Sequence, residues 1–138
     1  MPPVAVFDTN ILFSATAWRG SPYRCLELAR GGAVVGLTCP EILDELARVL
    51  GEKLAFPEEA VTATLTDLRG FLREVAITGT LKVVTADPDD DKVLECAAVG
   101  GAAYVVTGDR KHLLPLGSYQ GIRIVSATEF LSAVAPVP

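Results

Sequence analysis

VAVFDTN, residues 4–10, joins an apolar run directly to a carboxylate. Val4, Ala5, Val6 and Phe7 have the composition of a strand buried on both faces, and Asp8 stands where that strand ends. Two readings of Asp8 are open. Either it closes the strand into a turn, or it supplies negative charge at the strand's carboxyl end. The second gains weight only in an α/β fold, where ligands gather at the carboxyl ends of parallel strands.

Working outward, similar runs recur. Residues 33–38 (AVVGLT), 103–107 (AYVVT) and 122–125 (IRIV) read as buried strands, and 80–85 (TLKVVT) as a short further one. Helical patterns lie between them. Residues 21–30 open on Ser21-Pro22, a cap and first turn. Residues 40–50 follow Thr38, with Glu41 at capping-box spacing. A longer helical region covers 57–76 from Pro57, with Gly70 a weak point inside it. Another spans 90–99 and stops at Gly100-Gly101; the last follows Ser126, again with Glu129 at capping-box spacing. The ending APVP reads as frayed. Strands alternating with helices imply an α/β fold with a mainly parallel sheet of about five strands. No repeat or linker divides the chain, so residues 1–138 are expected to form a single domain.

Composition narrows the class. The chain is 50% hydrophobic and 21% charged, which suits a folded domain with a real core. A net charge of -5 and a pI near 4.8 argue against a protein held to nucleic acid by overall charge. They leave room for a local basic patch and for an acidic pocket that metal ions neutralise. Cys25, Cys39 and Cys96 are odd in number and form no CxxC, so they read as reduced, buried small apolar residues. One His and no paired ligands argue against a zinc site. Neither a signal peptide nor a membrane span is legible, and a cytoplasmic location is expected.

Helical projection then sorts the acids. In PEILDELARVL the apolar stripe is Ile42, Leu43, Leu46, Val49 and Leu50, opposite Glu41, Asp44 and Arg48. Glu45 lies on the edge of the stripe, nearest the core. DPDDD contributes Asp87, Asp89, Asp90 and Asp91, ordinarily a solvated helix start where acids favour the dipole. The helix that follows buries Val93, Leu94, Ala97 and Ala98, and Asp90 projects near the middle of that stripe, with Asp89 and Asp91 at its sides. An inward carboxylate needs a partner, and a metal ion is one. Asp109, just past the strand AYVVT, reads equally well as the cap of a short helix in RKHLL. Each acid alone is as readily structural as functional; four near one sheet edge are harder to dismiss.

Taken together, FDTNIL at 7–12, CPEILDELARVL at 39–50, DPDDDKVLECA at 87–97 and YVVTGDRKHLL at 104–114 resemble the PIN-domain nucleases over nearly the whole chain. The order and spacing of the motifs carry the resemblance. It looks most like the bacterial and archaeal PIN group described as toxin components of toxin–antitoxin pairs. The resemblance implies a Rossmann-like three-layer α/β/α fold and four site acids: Asp8, Glu45, Asp90 and Asp109. It further implies Mg²⁺ or Mn²⁺ dependence, cleavage of RNA to 5′-phosphate and 3′-hydroxyl ends, a separate antitoxin protein and a homodimer. Asn10 and Thr107 match polar positions beside the site. Hard cations fit carboxylate oxygens, so Asp8, Asp90 and Asp109 are expected to hold the metal directly or through water. Glu45 is expected to bind a second ion or orient the attacking water.

Other residues read both ways. Arg19, Arg110 and Lys111 are candidates for phosphate contact, or ordinary solvated cations. Trp18 and Tyr23 are candidates for base stacking, with partial burial or a dimer contact as the alternative. His112 invites a role as general base, but a helix-surface or packing role is the stronger expectation. FDTN is similar to haloacid-dehalogenase-type phosphatases, yet Asn10 stands where their second Asp belongs. The acid pair, phosphoacceptor and Lys of a response-regulator receiver are not found. An RNA-processing or decay nuclease without an antitoxin remains open from the sequence. So does a non-catalytic RNA- or protein-binding module, although four intact acids weigh against it.

Overall fold

A computed structural model describes residues 1–83 and 88–134. The elements run β1 Val4–Phe7, α1 Thr9–Ala17, α2 Ser21–Arg30, β2 Val35–Thr38, α3 Pro40–Leu54, α4 Glu58–Arg69 and β3 Arg73–Glu74. They continue with α5 Pro88–Gly100, β4 Tyr104–Val106, α6 Leu113–Leu116, β5 Ser118–Tyr119, β6 Ile122–Val125 and α7 Ala127–Val134. The strands form a sheet in the order β3-β2-β1-β4-β6-β5. Every pairing is parallel except β5 with β6. This is the expected three-layer α/β fold with a mainly parallel sheet.

The order contains a reversal. From β1 the chain steps outward to β2 and β3, then returns across them through α5 to place β4 on the other side of β1. Right-handed crossovers then require the helices before and after the reversal to lie on opposite faces. α5 packs on β1, β2 and β4, while α2 packs with α1 and α7. The strands between them are apolar because both faces are covered: Ala5, Val6, Phe7, Leu37, Val105 and Val106 are all buried. Beyond the carboxyl ends of β1 and β4 the crossovers diverge, which leaves a crevice at the switch point.

Gly36 shows how tightly α2 and the segment before β3 close on the sheet: a methyl there would lie 3.3 Å from Ala29 Cβ of α2. It would also meet Leu72 Cδ2 at 2.5 Å and the Phe7 ring at 3.1 Å. At the last helix the expected capping box forms: the Ser126 hydroxyl accepts from the Glu129 amide at 3.1 Å, and the Glu129 carboxylate from the Ser126 amide at 3.0 Å.

Several expectations are corrected. Residues 80–83 form no strand; 84 and 85, like Asp87 and the ending APVP, lie outside the described residues. The third strand is instead Arg73–Glu74, inside the region read as helix to 76. Gly70 is the physical reason. It caps α4 with its amide on the Thr66 and Asp67 carbonyls, and the chain then extends to pair with β2. Helix α1 and strand β5 were not expected. Thr38 does not cap α3: Cys39 does, and its side chain makes no capping bond. α2 likewise starts at Gly20, with Ser21 and Pro22 already inside its first turn. All three cysteines are free and buried, as expected. Among the described residues no helix is long and apolar enough to cross a membrane.

Candidate metal centre at the switch point

Asp8 ends β1 and caps α1, so it turns the chain out of the strand and also stands at the strand's carboxyl end. One carboxylate oxygen accepts the Thr9 amide at 2.7 Å as the helix cap. The other accepts the Thr107 hydroxyl at 2.7 Å and the Asn10 side-chain amide at 3.4 Å. Only 6% of Asp8 is exposed. That burial raises its pKa, against the lowering effect of the Thr107 and Thr9 donors; the nearby charge of Glu45 adds to the rise.

Thr107, itself fully buried, joins two strand ends. Its hydroxyl donates to Asp8 and accepts the Asp109 amide at 3.0 Å. Asn10 makes a parallel link, donating to Asp8 and accepting the Gly108 amide at 3.0 Å. The Asp109 side chain turns back to cap the next segment. It accepts the amides of Lys111 at 3.1 Å, His112 at 3.3 Å and Leu113 at 3.1 Å. Burial opposes its charge, but these amides and a hydrogen bond with Asp90 outweigh it, and the carboxyl sits below its ordinary pKa. The side chain thus closes the turn that precedes α6, whose own N-cap is His112 without a side-chain bond, and the same carboxylate still faces the site.

Glu45 reaches the same cleft from α3. It accepts a hydrogen bond from the Thr9 hydroxyl and pairs with Lys92 of α5 at 3.1 Å. Asp90 comes from the first turn of α5, with its side chain 14% exposed. The projection of α5 holds for Val93, Leu94 and Ala97, whereas Ala98 is exposed. It placed Asp91 at the side of the stripe, where the structure has it buried, and missed a second buried acid, Glu95. Asp91 accepts the Val83 amide at 2.9 Å. Glu95 accepts the amides of Thr78, Gly79 and Leu81 at 2.8, 3.0 and 3.1 Å, and the Thr78 hydroxyl. Burial works against its charge, yet the four donors hold its carboxyl below the usual range. These two acids fasten the preceding loop to the helix that carries Asp90.

All four acids expected from the sequence line one cleft of about 450 Å³. Among the described residues, Asp90, Asp109 and His112 form a group whose ligand atoms lie within 4.8 Å of one another. Asp8 joins that group through Thr107. His112, for which a helix-surface or packing role was expected, caps α6 part-exposed and also faces the cleft, its Nδ1 3.2 Å from Asp90 Oδ2 and 3.9 Å from Asp109 Oδ2. Thr9, Lys92 and Lys53 were also missed. Lys53 lines the cleft over the Phe13 ring, 5.8 Å from its centroid. Lys111 lines the cleft, while Arg19 is occupied by Tyr23, with its guanidinium 4.9 Å above the ring. Trp18 is 61% exposed and meets Phe13 edge-on.

Residues 4–111 match the sequence profile of the family described as PIN domain. No curated protein matches the chain. Solved structures that share its fold include the following two. One is the structure of VapBC2 from Rickettsia felis bound to a DNA fragment from its promoter. A chain of it superposes with a TM-score of 0.58 at 16% identity, covering 88% of this chain and 96% of that one. The other is the RRP44 PIN domain of T. brucei, with a TM-score of 0.53 at 12% identity, covering 96% of this chain and 81% of that one.

Proposed function

Since the chain belongs to the PIN-domain family, whose members are generally nucleases, we propose that it is a metal-dependent endoribonuclease and the toxin of a toxin–antitoxin pair. The observation that carries the reading is the meeting of Asp8, Glu45, Asp90 and Asp109 in one cleft at the sheet's switch point. The donor set fits the group the family implies. It is dominated by carboxylate oxygens, the ligands hard divalent cations prefer, and it leaves room for retained waters. Asp8, Asp90 and Asp109 would hold Mg²⁺ or Mn²⁺, directly or through water. A bound ion lowers the pKa of a water and offsets charge on the phosphate during in-line attack.

The chain's own residues prepare that chemistry. Thr107 and the Thr9 amide fix the Asp8 carboxylate, and three backbone amides fix Asp109, so neither carboxylate has to be ordered on binding. Lys92 pairs with Glu45 at the cleft, where the carboxylate would orient the attacking water or hold a second ion. Lys53 and Lys111 at the rim supply positive charge for the phosphates of an RNA strand, in a chain whose net charge is otherwise repulsive. A separate antitoxin protein and assembly as a homodimer complete the reading.

The test is cleavage of a labelled RNA panel by the purified protein in Mg²⁺, Mn²⁺ or EDTA, beside Asp8→Asn and Asp90→Asn. Cutting that needs metal and is lost in both variants is the expected result. Cutting that persists in EDTA, or in either folded variant, would remove this site from the chemistry. RNA binding with neither metal binding nor cutting would favour a non-catalytic module.

A further inference from the structure

We infer that His112 is a metal-ligating residue of the cleft, adding an imidazole nitrogen to the carboxylates and tipping the site from Mg²⁺ toward transition-metal ions. The inference rests on the metal-dependent reading above and adds to it a ligand of a different chemical kind.

The geometry is the first argument. In an octahedral site with bonds of ~2.1 Å, neighbouring ligand atoms lie about 3.0 Å apart. His112 Nδ1 and Asp90 Oδ2 are already 3.2 Å apart, near that spacing. Asp109 Oδ2, at 3.9 Å, needs a closure of under an ångström. The ring nitrogen therefore faces the space between the two acids. The backbone holds it there: Asp109 accepts the His112 amide, so the residue that supplies one ligand also positions the next. The His112 side chain is 28% exposed.

Ligand chemistry is the second argument. Mg²⁺ prefers an all-oxygen shell and gives up its waters reluctantly, so an imidazole adds little to its binding. Affinity for nitrogen rises along the first transition series from Mn²⁺ through Co²⁺ to Ni²⁺. A site of carboxylates joined by one imidazole is thus a mixed donor set that discriminates between the two classes of ion. The competing role is a plain hydrogen bond in which Nδ1–H holds Asp90 in place. The two roles differ in one observable: whether nitrogen is bonded to the ion.

The chain contains a single histidine, which makes the test specific. Untagged protein is loaded with Mn²⁺ and examined by pulsed electron paramagnetic resonance, once unlabelled and once with ¹⁵N-histidine. The expected result is nitrogen modulation on bound Mn²⁺ that changes with the label. Titrations of Mg²⁺, Mn²⁺ and Co²⁺ by calorimetry accompany it, on wild type and on His112→Gln. The variant is expected to weaken Mn²⁺ and Co²⁺ by about tenfold or more and Mg²⁺ by less than about threefold. The labelled wild type needs no variant, so a folding defect in His112→Gln leaves the test intact. Bound Mn²⁺ without nitrogen modulation would overturn this inference and leave the carboxylate site standing. Absence of saturable Mn²⁺ binding would overturn both.

Discussion

Replacing Asp8 by Asn tests how far the metal-free cleft is held against its own charge. Asp8 is 6% exposed, and burial raises its pKa above the ordinary 3.8. The sign follows from linkage. Between the unfolded value and the raised folded value, the unfolded chain has released a proton that the native state still holds. Native stability then falls as pH rises, by up to about 1.4 kcal/mol per pH unit, and levels off above the folded pKa. Unfolding entropy of about 2.1 cal/mol/K per residue converts 1 kcal/mol into roughly 3–4 °C of Tm for a chain of 138 residues. The wild type should therefore lose up to about 5 °C per pH unit relative to Asp8→Asn through that window. The variant carries a constant offset, because a carboxamide oxygen replaces only one of two accepting oxygens; the cost is about 1 kcal/mol. The assay is thermal unfolding of both proteins in EDTA from pH 4 to 8. The difference in Tm should move in the variant's favour with rising pH and then plateau. A difference that stays flat would refute the claim that Asp8 is ionised at a cost.

Metal should reverse the same balance. At about 100 times its dissociation constant, Mg²⁺ or Mn²⁺ should stabilise the wild type by about 2.7 kcal/mol, or roughly 9 °C; an equal gain in Asp8→Asn would count against the site. Glu95→Ala leaves three loop amides without their acceptor and should cost about 2–4 kcal/mol at pH 7 by urea unfolding. Because the Glu95 pKa is depressed, its contribution is present above 4.5 and lost as pH falls through the folded value, so variant and wild type should converge toward pH 3. Gly36→Ala drives a methyl into Leu72 and the Phe7 ring and should cost about 1–3 kcal/mol in the same assay.

The parts of this protein that were legible are those with a local cause. A run such as VAVF has few ways to be buried other than between helical layers, and β1 appears where its composition puts it. IRIV forms β6 at the expected bounds, and SATE caps α7 with both reciprocal bonds. The illegible parts are decided at a distance. Arg73–Glu74 is two polar, exposed residues with no strand signature; it is a strand because the end of β2 offers unpaired backbone groups beside it. Helix α1 was hidden by its own sequence. TNILFSATA carries β-branched and small polar residues with little helical periodicity, and what starts it is the Asp8 cap together with packing on α2 and α3.

The same division runs through the site. The four acids could be found because an inward or strand-end carboxylate conflicts with its surroundings: a helical projection shows it for Glu45 and Asp90, and the end of an apolar run for Asp8 and Asp109. Glu95 carried the same conflict and was overlooked, since its partners are backbone amides, which every residue but proline possesses and no sequence advertises. The hydroxyls were harder still. Thr9 looks like an ordinary helix-start residue and Thr107 is marked only by the resemblance, yet Thr9 ties Glu45 to α1, and Thr107 reaches Asp8 across 99 positions of chain and links it to Asp109. Threonine suits this place for a physical reason. Its branched Cβ restricts the side chain's rotation in a strand, so the hydroxyl is held where one group can donate to a carboxylate and accept an amide together. Serine at 107 would keep both bonds and lose that restriction, whereas valine would keep the shape and strand Asp8 without its strongest donor. The separation of Asp8 and Asp109 is therefore set less by the two acids than by the hydroxyl between them.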